Sequence, residues 1–437
     1  MGLTRGRFLS LMGAGAAGVL LGGCAKSPPP IDVTASRFDA PARGTFSLWC
    51  RGGMSPVSQW LVDRFHAAQD QVRVDLTPVP DGQYVTKLAT AIRGGRVPDL
   101  VDIDDINSAA FIHRGVFADL TPLIEELPFR DRLSPGHLAL AERNGRYHGV
   151  PALADNSALW CNLDLLDRAG VGIDDATGSF EGYLEAARAV SALGDDIHGW
   201  SYPGNGSGAL AFTVQPHFWA ADADLIAGEI GDQRATIRDN DALRRTLRFL
   251  HTLWDEGLVP SNADSDDGAL WAAGFHEEKV AMIPNGYGII SRDAPDGLLD
   301  HTAVRLLSGP DGGGSFFDGG NNFCLPNGSE NPVAAWEFVR FCLEVEQQAA
   351  LPESGYIPVR SDAATADYRE RFPLALPTLL DIDAGHAPLS LAYNRIYNQN
   401  DGPWLAMFRR AVFGGDVDGA MADAQQRFDE ILRQGDA

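Results

Sequence analysis

Two adjacent aspartates, Asp104 and Asp105, close the run Leu100-Val101-Asp102-Ile103, and a pair of carboxylates suits two chemistries. One is glycoside hydrolysis, which needs a protonated donor and an ionised partner on either side of the bond. The other is capture of a polar or cationic ligand through charge-assisted hydrogen bonds. The chain holds 59 acids, so some pair always has a usable spacing and spacing alone carries no argument for hydrolysis. Stringent catalytic signatures are missing: there is no Gly-x-x-x-x-Gly-Lys, no Gly-x-Ser-x-Gly and no His-Glu-x-x-His. Asn262-Ala263-Asp264-Ser265-Asp266-Asp267-Gly268 begins like a calcium loop, but its glycine falls one place late and Ala273 stands where the bidentate glutamate belongs. A solvated acidic loop is expected there. The histidines are scattered singly and none pairs with a cysteine at ligand spacing. No catalytic residue, metal or cofactor is expected.

The elements that must position the two acids follow from periodicity. Phe46-Ser47-Leu48-Trp49 alternates as a first strand, and Pro56 opens a helix with Val57, Trp60, Leu61 and Phe65 on one side. Residues 72–76 alternate again, and residues 83–93 carry Tyr84, Leu88, Ala91 and Ile92 on one helical face before Gly94-Gly95. Asp104 and Asp105 then end a third strand. In open α/β sheets the ligand crevice lies beyond the carboxyl ends of the strands, so one of these acids should face the crevice and the other cap the helix starting near Ile106. Later helices are expected after Asp239-Asn240, with Leu243, Leu247, Leu250 and Trp254 inward, after Asn331-Pro332, and over 421–433. The alternation predicts an α/β architecture with mainly parallel sheets. Glycines at 204–208, 312–314 and 319–320 predict loops. Trp219 follows Pro216 outside any helical stripe, which makes it the best candidate to stack on a ligand.

The N-terminus reads as an address. Arg5 and Arg7 precede the apolar residues 8–21, and Leu21-Gly22-Gly23-Cys24 resembles a lipobox whose cysteine thiol takes the lipid. The expectation is a signal peptide over 1–23, a lipid on Cys24 that anchors the chain at the outer face of the cell membrane, and a flexible proline-rich tether over 24–43. Thr4-Arg5-Gly6-Arg7 lacks the second of two paired arginines, so twin-arginine and general secretory export both stay open. Cys50, Cys161, Cys324 and Cys342 sit in apolar contexts; two disulfides are permitted, and four buried free thiols are preferred. About 400 residues remain, enough for two units of ordinary domain size. A net charge of −24 repels nucleic acid and anionic headgroups.

Several segments carry a family resemblance: Val97-Pro98-Asp99-Leu100-Val101, Leu120-Thr121-Pro122-Leu123, residues 145–151, Trp160-Cys161-Asn162, residues 275–282, Ala335-Trp336-Glu337-Phe338-Val339 and Gly355-Tyr356-Ile357-Pro358. In this order and spacing they resemble the maltose-binding-like extracellular solute-binding proteins, family 1 of the receptors of ATP-driven (ABC) importers. Two aromatics usually precede the asparagine at 162, and here the second is Cys161. The resemblance implies a two-lobed periplasmic-binding-protein fold with a hinge and central cleft: lobe 1 over 44–152 plus 302–357, lobe 2 over 153–301 plus 358–437. It implies a monomer that does no chemistry on its ligand, a carbohydrate, and hands it to permease subunits in the membrane. Matching positions place Asp155 with Asn156 after the first crossing strand, Tyr84, Asn285-Gly286-Tyr287, Asn321-Asn322 and Tyr356 beside the ligand, with Trp49 a weaker candidate. Asp104, Asp105 and Asp155 could together surround an ammonium, which makes an amino sugar the finer expectation. A glycerophosphodiester with a quaternary cation is the alternative, with Tyr84 and Trp219 as its aromatic walls. A glycosidase or an adhesive lipoprotein would belong to other classes.

Overall fold

The computed structural model describes residues 30–435; Cys24 and the segment before it lie outside them. Among the described residues ten strands form one continuous sheet. They are β1 (Gly44–Arg51), β2 (Val72–Val79), β3 (Leu100–Asp104), β4 (Val150–Asn162), β5 (His198–Trp200), β6 (Val280–Gly286), β7 (Thr302–Arg305), β8 (Leu307–Gly309), β9 (Gly312–Cys324) and β10 (Gly385–His386). The order runs β2-β1-β3-β9-β4-β6-β5, with β7 on β4 and with β8 and β10 on β9.

The expected α/β class is present, but the sheet is mixed rather than two separate, mainly parallel ones. The reason lies in two strands of thirteen residues. Residues 150–156 of β4 pair antiparallel with β9, while residues 157–162 of the same strand pair with β6 and β7. One strand therefore serves both halves of the molecule. β9 does likewise, meeting β3 at one end and β8 and β10 at the other. A third connection is the pair of bonds between Ala154 and Ile357, Ala154 N–H to Ile357 O at 2.8 Å and the reverse at 2.9 Å.

Nine helices matter for the site and its support: α1 (Ser55–Ala68), α2 (Asp81–Gly94), α3 (Asp105–His113), α4 (Pro135–Ala141), α5 (Ser207–Trp219), α6 (Asp241–Asp255), α7 (Pro332–Cys342), α8 (Pro403–Val412) and α9 (Val417–Gly435). Their ends follow local chemistry. Pro lies in the first turn of α1, α4, α7 and α8, where its missing N–H costs nothing. Asn240 caps α6 by accepting from Leu243 N–H at 2.9 Å. α2 ends at Gly95, whose φ of +66° suits glycine.

Two large apolar clusters fill the halves. Leu61, Phe65, Phe323 and Phe338 pack around β1, β3, α1 and α7, with the Phe65 and Phe338 rings edge to face at 5.2 Å. Leu247, Leu250, Trp404, Phe408 and Phe428 bind α6, α8 and α9 into the second. Each fully buried side chain of this size contributes about 1.5–3 kcal/mol.

Three local expectations are corrected. The glycine loops at 312–314 and 319–320 are parts of β9, where Gly320 takes φ +153° at a register shift and a Cβ would stand 2.2 Å from Leu153 O. Residues 30–43 do not all hang free: Ile31 N–H donates to Asn327 Oδ1 at 3.1 Å, Val33 is buried, and Phe38 packs on the first cluster. The apolar residues of that stretch drive the docking against its proline-rich start. The last helix begins at Val417, a turn earlier than expected. Cys50, Cys161, Cys324 and Cys342 are all free and buried. Among the described residues no helix is long and apolar enough to cross a membrane.

Candidate ligand-binding cleft

The carboxyl ends of β1 and β3 and the middle of β4 and β9 open onto a cavity of about 240 Å³ between the halves. From the first half come Arg51, Met54, Asp104, Asp105 and Ile106. The crossing strands add Leu153, Asp155, Phe317, Gly319, Gly320 and Asn321, and Tyr356 directly precedes the third connection. The second half contributes Gly208 and Phe212 from α5, and Tyr393 and Asn398 from around a π-helical turn at Asn394–Asn398. A volume below the roughly 300–1,000 Å³ of drug-sized pockets means that this arrangement admits a small ligand. The two halves also touch over the cavity, where Asn394 Nδ2 donates to Asn107 Oδ1 at 2.7 Å. A larger depression of about 1,230 Å³ lies beside Asp239, Asp241, Arg245 and Asp311, on the outside of α6 and α9. Within it Arg245 is bonded to Asp311 at 2.5 Å.

Polar groups in the cleft are held by buried partners. Arg51 Nη1 stands 3.4 Å from Asp104 Oδ2, and its Nη2 donates to Asn321 Oδ1 at 3.2 Å. Asn321 in turn donates from Nδ2 to Asp102, which also accepts from Ser58 Oγ at 3.1 Å. Arg51 and Asn321 are thereby pre-oriented. One acceptor is left over: Asp104 Oδ1 is buried without a hydrogen-bond partner, whereas Asp105 Oδ2 faces His137 Nε2 at 3.6 Å. A stranded buried acceptor costs about 1–3 kcal/mol, so a donor brought by a ligand recovers that free energy.

Burial pushes both of these carboxyls up, against the pull of Arg51 on Asp104 and of His137 on Asp105. Asp155, partly open to the cleft, is pushed up to about 6 by desolvation, opposed by Arg51 and Arg292. Apolar faces complete the wall: the Phe212 and Phe317 rings lie 5.4 Å apart, and Tyr356 Oη is 3.3 Å from Met54 Sδ. Carboxylates and an amide that hydrogen-bond, set against aromatic faces, suit a polyhydroxylated or amino-bearing ring.

The structure gathers five of the sequence candidates here: Asp104, Asp105, Asp155, Asn321 and Tyr356. Gly286 is adjacent, since a Cβ there would come within 2.9 Å of Asp155 Oδ1. Asp104 and Asp105 do not divide their work as expected: both line the cavity, and Asp105 Oδ1 also accepts from Ile106 N–H at 2.7 Å.

The others stand elsewhere. Tyr84 is buried with its Oη donating to Asp102 O at 3.0 Å. Trp219 ends α5, which runs on through Pro216, and its ring packs on Phe317 at 5.6 Å and His386 at 5.7 Å inside the second half. Because α5 is buried nearly all round, it shows no amphipathic stripe, and the proline alone suggested a break. Tyr287 packs on Trp160, and Asn285 gives its carbonyl to Trp160 Nε1 at 3.1 Å. Asn156 and Asn322 are buried off the cavity, and Trp49 lies outside under Lys87 at 4.6 Å. Arg51, Phe212, Phe317, Tyr393 and Asn398 are additions. Arg51 had a signal, because it ends a strand just as Asp104 does; the aromatic residues had none beyond their type.

Two α/β halves joined by crossing strands, with a polar cavity at the strand ends, define a protein that holds a small solute between its halves. The family comparison agrees: residues 60–373 match the bacterial extracellular solute-binding proteins, and the chain belongs to that family. A protein of Brucella abortus named as a binding protein is 23% identical over 381 residues, 85% of this chain and 88% of that one. The arabinooligosaccharide-binding protein of Bacillus subtilis is 24% identical over 303 residues, 67% of each chain. Among solved structures, the sugar-binding protein MalE of Xanthomonas citri superposes with a TM-score of 0.79 at 21% identity, covering 90% of this chain and 98% of that one. UgpB of Mycobacterium tuberculosis, solved with glycerophosphocholine, gives 0.70 at 21% identity, covering 90% and 99%. Both likenesses establish the two-lobed fold.

Proposed function

We propose that the protein is the lipid-anchored receptor of an ABC importer, capturing a carbohydrate, and in the finer reading an amino sugar, for delivery to the permease. Its lobes would be 44–152 with 302–357 and 153–301 with 358–437, closing on the ligand as a monomer, with no chemistry done on it. The observation that carries the ligand class is the stranded Asp104 Oδ1, with Asp105 and Asp155 beside it, set against the Phe212 and Phe317 faces. The oligosaccharide-binding names of relatives support it, as does a Streptomyces antibioticus relative named as a lipoprotein, 24% identical over 313 residues.

A glycerophosphodiester suits the cleft less well. Arg51 is the one cation among the lining residues; it is already engaged by Asp104 and Asn321, and three carboxylates would face the phosphate. A thermal-shift panel separates the two ligands. A ligand at 100 times its Kd adds about 2.7 kcal/mol, so D-glucosamine or arabinose oligosaccharides should raise the melting temperature while glycerophosphocholine does not. A shift with glycerophosphocholine alone would overturn the carbohydrate assignment, and new reducing ends after incubation with oligosaccharides would overturn the absence of catalysis. For the anchor, Cys24→Ser should leave the precursor uncleaved or release the chain from membranes; an unchanged membrane fraction would contradict it.

A further inference from the structure

Behind Asp105, away from the cavity, lies a buried charged chain. His137 on α4 is fully enclosed. Its Nδ1 stands 3.1 Å from Asp318 Oδ2 and 3.0 Å from Ser134 Oγ, and its Nε2 stands 3.6 Å from Asp105 Oδ2. Ser134 Oγ donates to the same Asp318 carboxylate. The sequence reserves room for this chain with two glycines: a Cβ on Gly136 would sit 2.6 Å from Asp318 Oδ2, and one on Gly320 would sit 2.6 Å from His137 Nε2. Three ionisable side chains this deep are expensive to bury, and an apolar replacement is often as stable or more so. Their placement points to a use, because Asp105 is a cleft-wall residue and Asp318 adjoins the Gly319-Gly320 wall.

We propose that His137 is a positioning residue for ligand recognition: as a buried imidazolium between Asp318 and Asp105 it favours the ionised form of Asp105 on the cleft wall, and so strengthens the cleft's preference for a positively charged ligand group. The specificity part rests on the amino-sugar reading above. The geometry leaves few rivals for the role. Arg51 stands with Asp104 and Asn321, and Asp105 receives its opposing pull from His137. The groups facing this pair from the packed elements are Asp104 on β3, Asp318 on β9 and Tyr393 from the second half. Asp155 on β4 lines the cavity, and Asp383 and His386 beneath α4 are exposed. Burial alone would drive the ring neutral, but Asp318 and Asp105 reverse this and hold His137 up to about 9. Without the ring's charge, desolvation and the like charges of Asp104 and Asp318 would favour a protonated Asp105, which attracts no ammonium.

The test uses the full chain with ¹⁵N-labelled histidine. His66, His113, His198 and His217 are all pushed down by burial, and the His137 ring is identified as the signal that His137→Gln removes. That signal is expected to be protonated still at pH 8, with a midpoint that falls by about one pH unit or more in Asp105→Asn. If His137→Gln does not fold, the signal is recognised by its loss of charge in Asp318→Asn. A His137 ring neutral at pH 7, or a midpoint unmoved in Asp105→Asn, would overturn the proposal. With D-glucosamine and D-glucose as probes at pH 7, His137→Gln should weaken glucosamine about tenfold and glucose far less. An equal loss for both would mark His137 as merely structural and overturn its specificity role. A wild type that does not prefer glucosamine contradicts the amino-sugar reading, and the Asp105→Asn midpoint then decides separately whether His137 and Asp105 act as one unit.

Discussion

Asp155 projects from the crossing strand β4 into the cleft, where desolvation holds its carboxyl up at about 6. An acid whose folded pKa is raised favours its protonated form. In the ligand-free protein its ionisation therefore lowers stability progressively between about pH 4, the unfolded value, and about 6, and the loss is complete above that. Binding has the opposite sign, because an ammonium needs the ionised form. Affinity for D-glucosamine should rise from pH 5 to pH 7 and level off, affinity for D-glucose should stay flat, and Asp155→Asn should remove the slope. Calorimetry across that range checks this, and a pH-independent glucosamine affinity in the wild type would contradict it. Asp104 and Asp105 were legible because strand ends are visible as patterns in the sequence, and Asp155 only through the family resemblance. The aromatic wall was not. Trp219 and Phe212 share one apolar helix, and only the packing of α5 against β9 decides that Phe212 reaches the cavity while Trp219 lies buried behind it.

β9 shows how an element positions chemistry. It presents Asn321 to Arg51 and Asp102, sends Asp318 toward His137, and has glycine at 320, where a Cβ would collide with Leu153 O. Glycine in a sequence marks a loop or a close backbone approach with the same letter, and the pattern at 312–320 gave no means of telling these apart. Length decided it: a thirteen-residue strand that crosses both halves has no loop to spare. Gly320→Ala should therefore cost more than an ordinary surface change, on the order of 1–3 kcal/mol, because its Cβ meets both a backbone carbonyl and the His137 ring. A drop in melting temperature with weakened ligand binding is expected; a melt within error of wild type would show that β9 relaxes freely. The N-terminal stretch makes the converse case. Its proline-rich start suggested a tether, yet Ile31, Val33 and Phe38 supply enough apolar surface to dock on the first half.

At the scale of the whole molecule, two halves meet over a small anionic cavity, touching at Asn107 and Asn394 and joined beneath by β4, β9 and the Ala154–Ile357 bonds. The α/β class and six of the nine helices named above were legible from period and caps, since these are local. The continuity of the sheet was not, because it depends on which strand pairs with which. On the proposed reading, a cavity that holds three carboxylates against one committed arginine favours a ligand that brings a positive or strongly donating group beside an apolar ring face. The most direct test is calorimetric titration of D-glucosamine and D-glucose into the wild type, Asp104→Asn, Asp105→Asn and Asp155→Asn at pH 7. At least one acid variant should lose about 1.5–3 kcal/mol for the amino sugar, the size of a hydrogen bond to a charged group, and much less for the neutral one. Losses equal for the two sugars in all three variants, or no binding of either sugar to the wild type, would contradict a cleft built for a cationic carbohydrate.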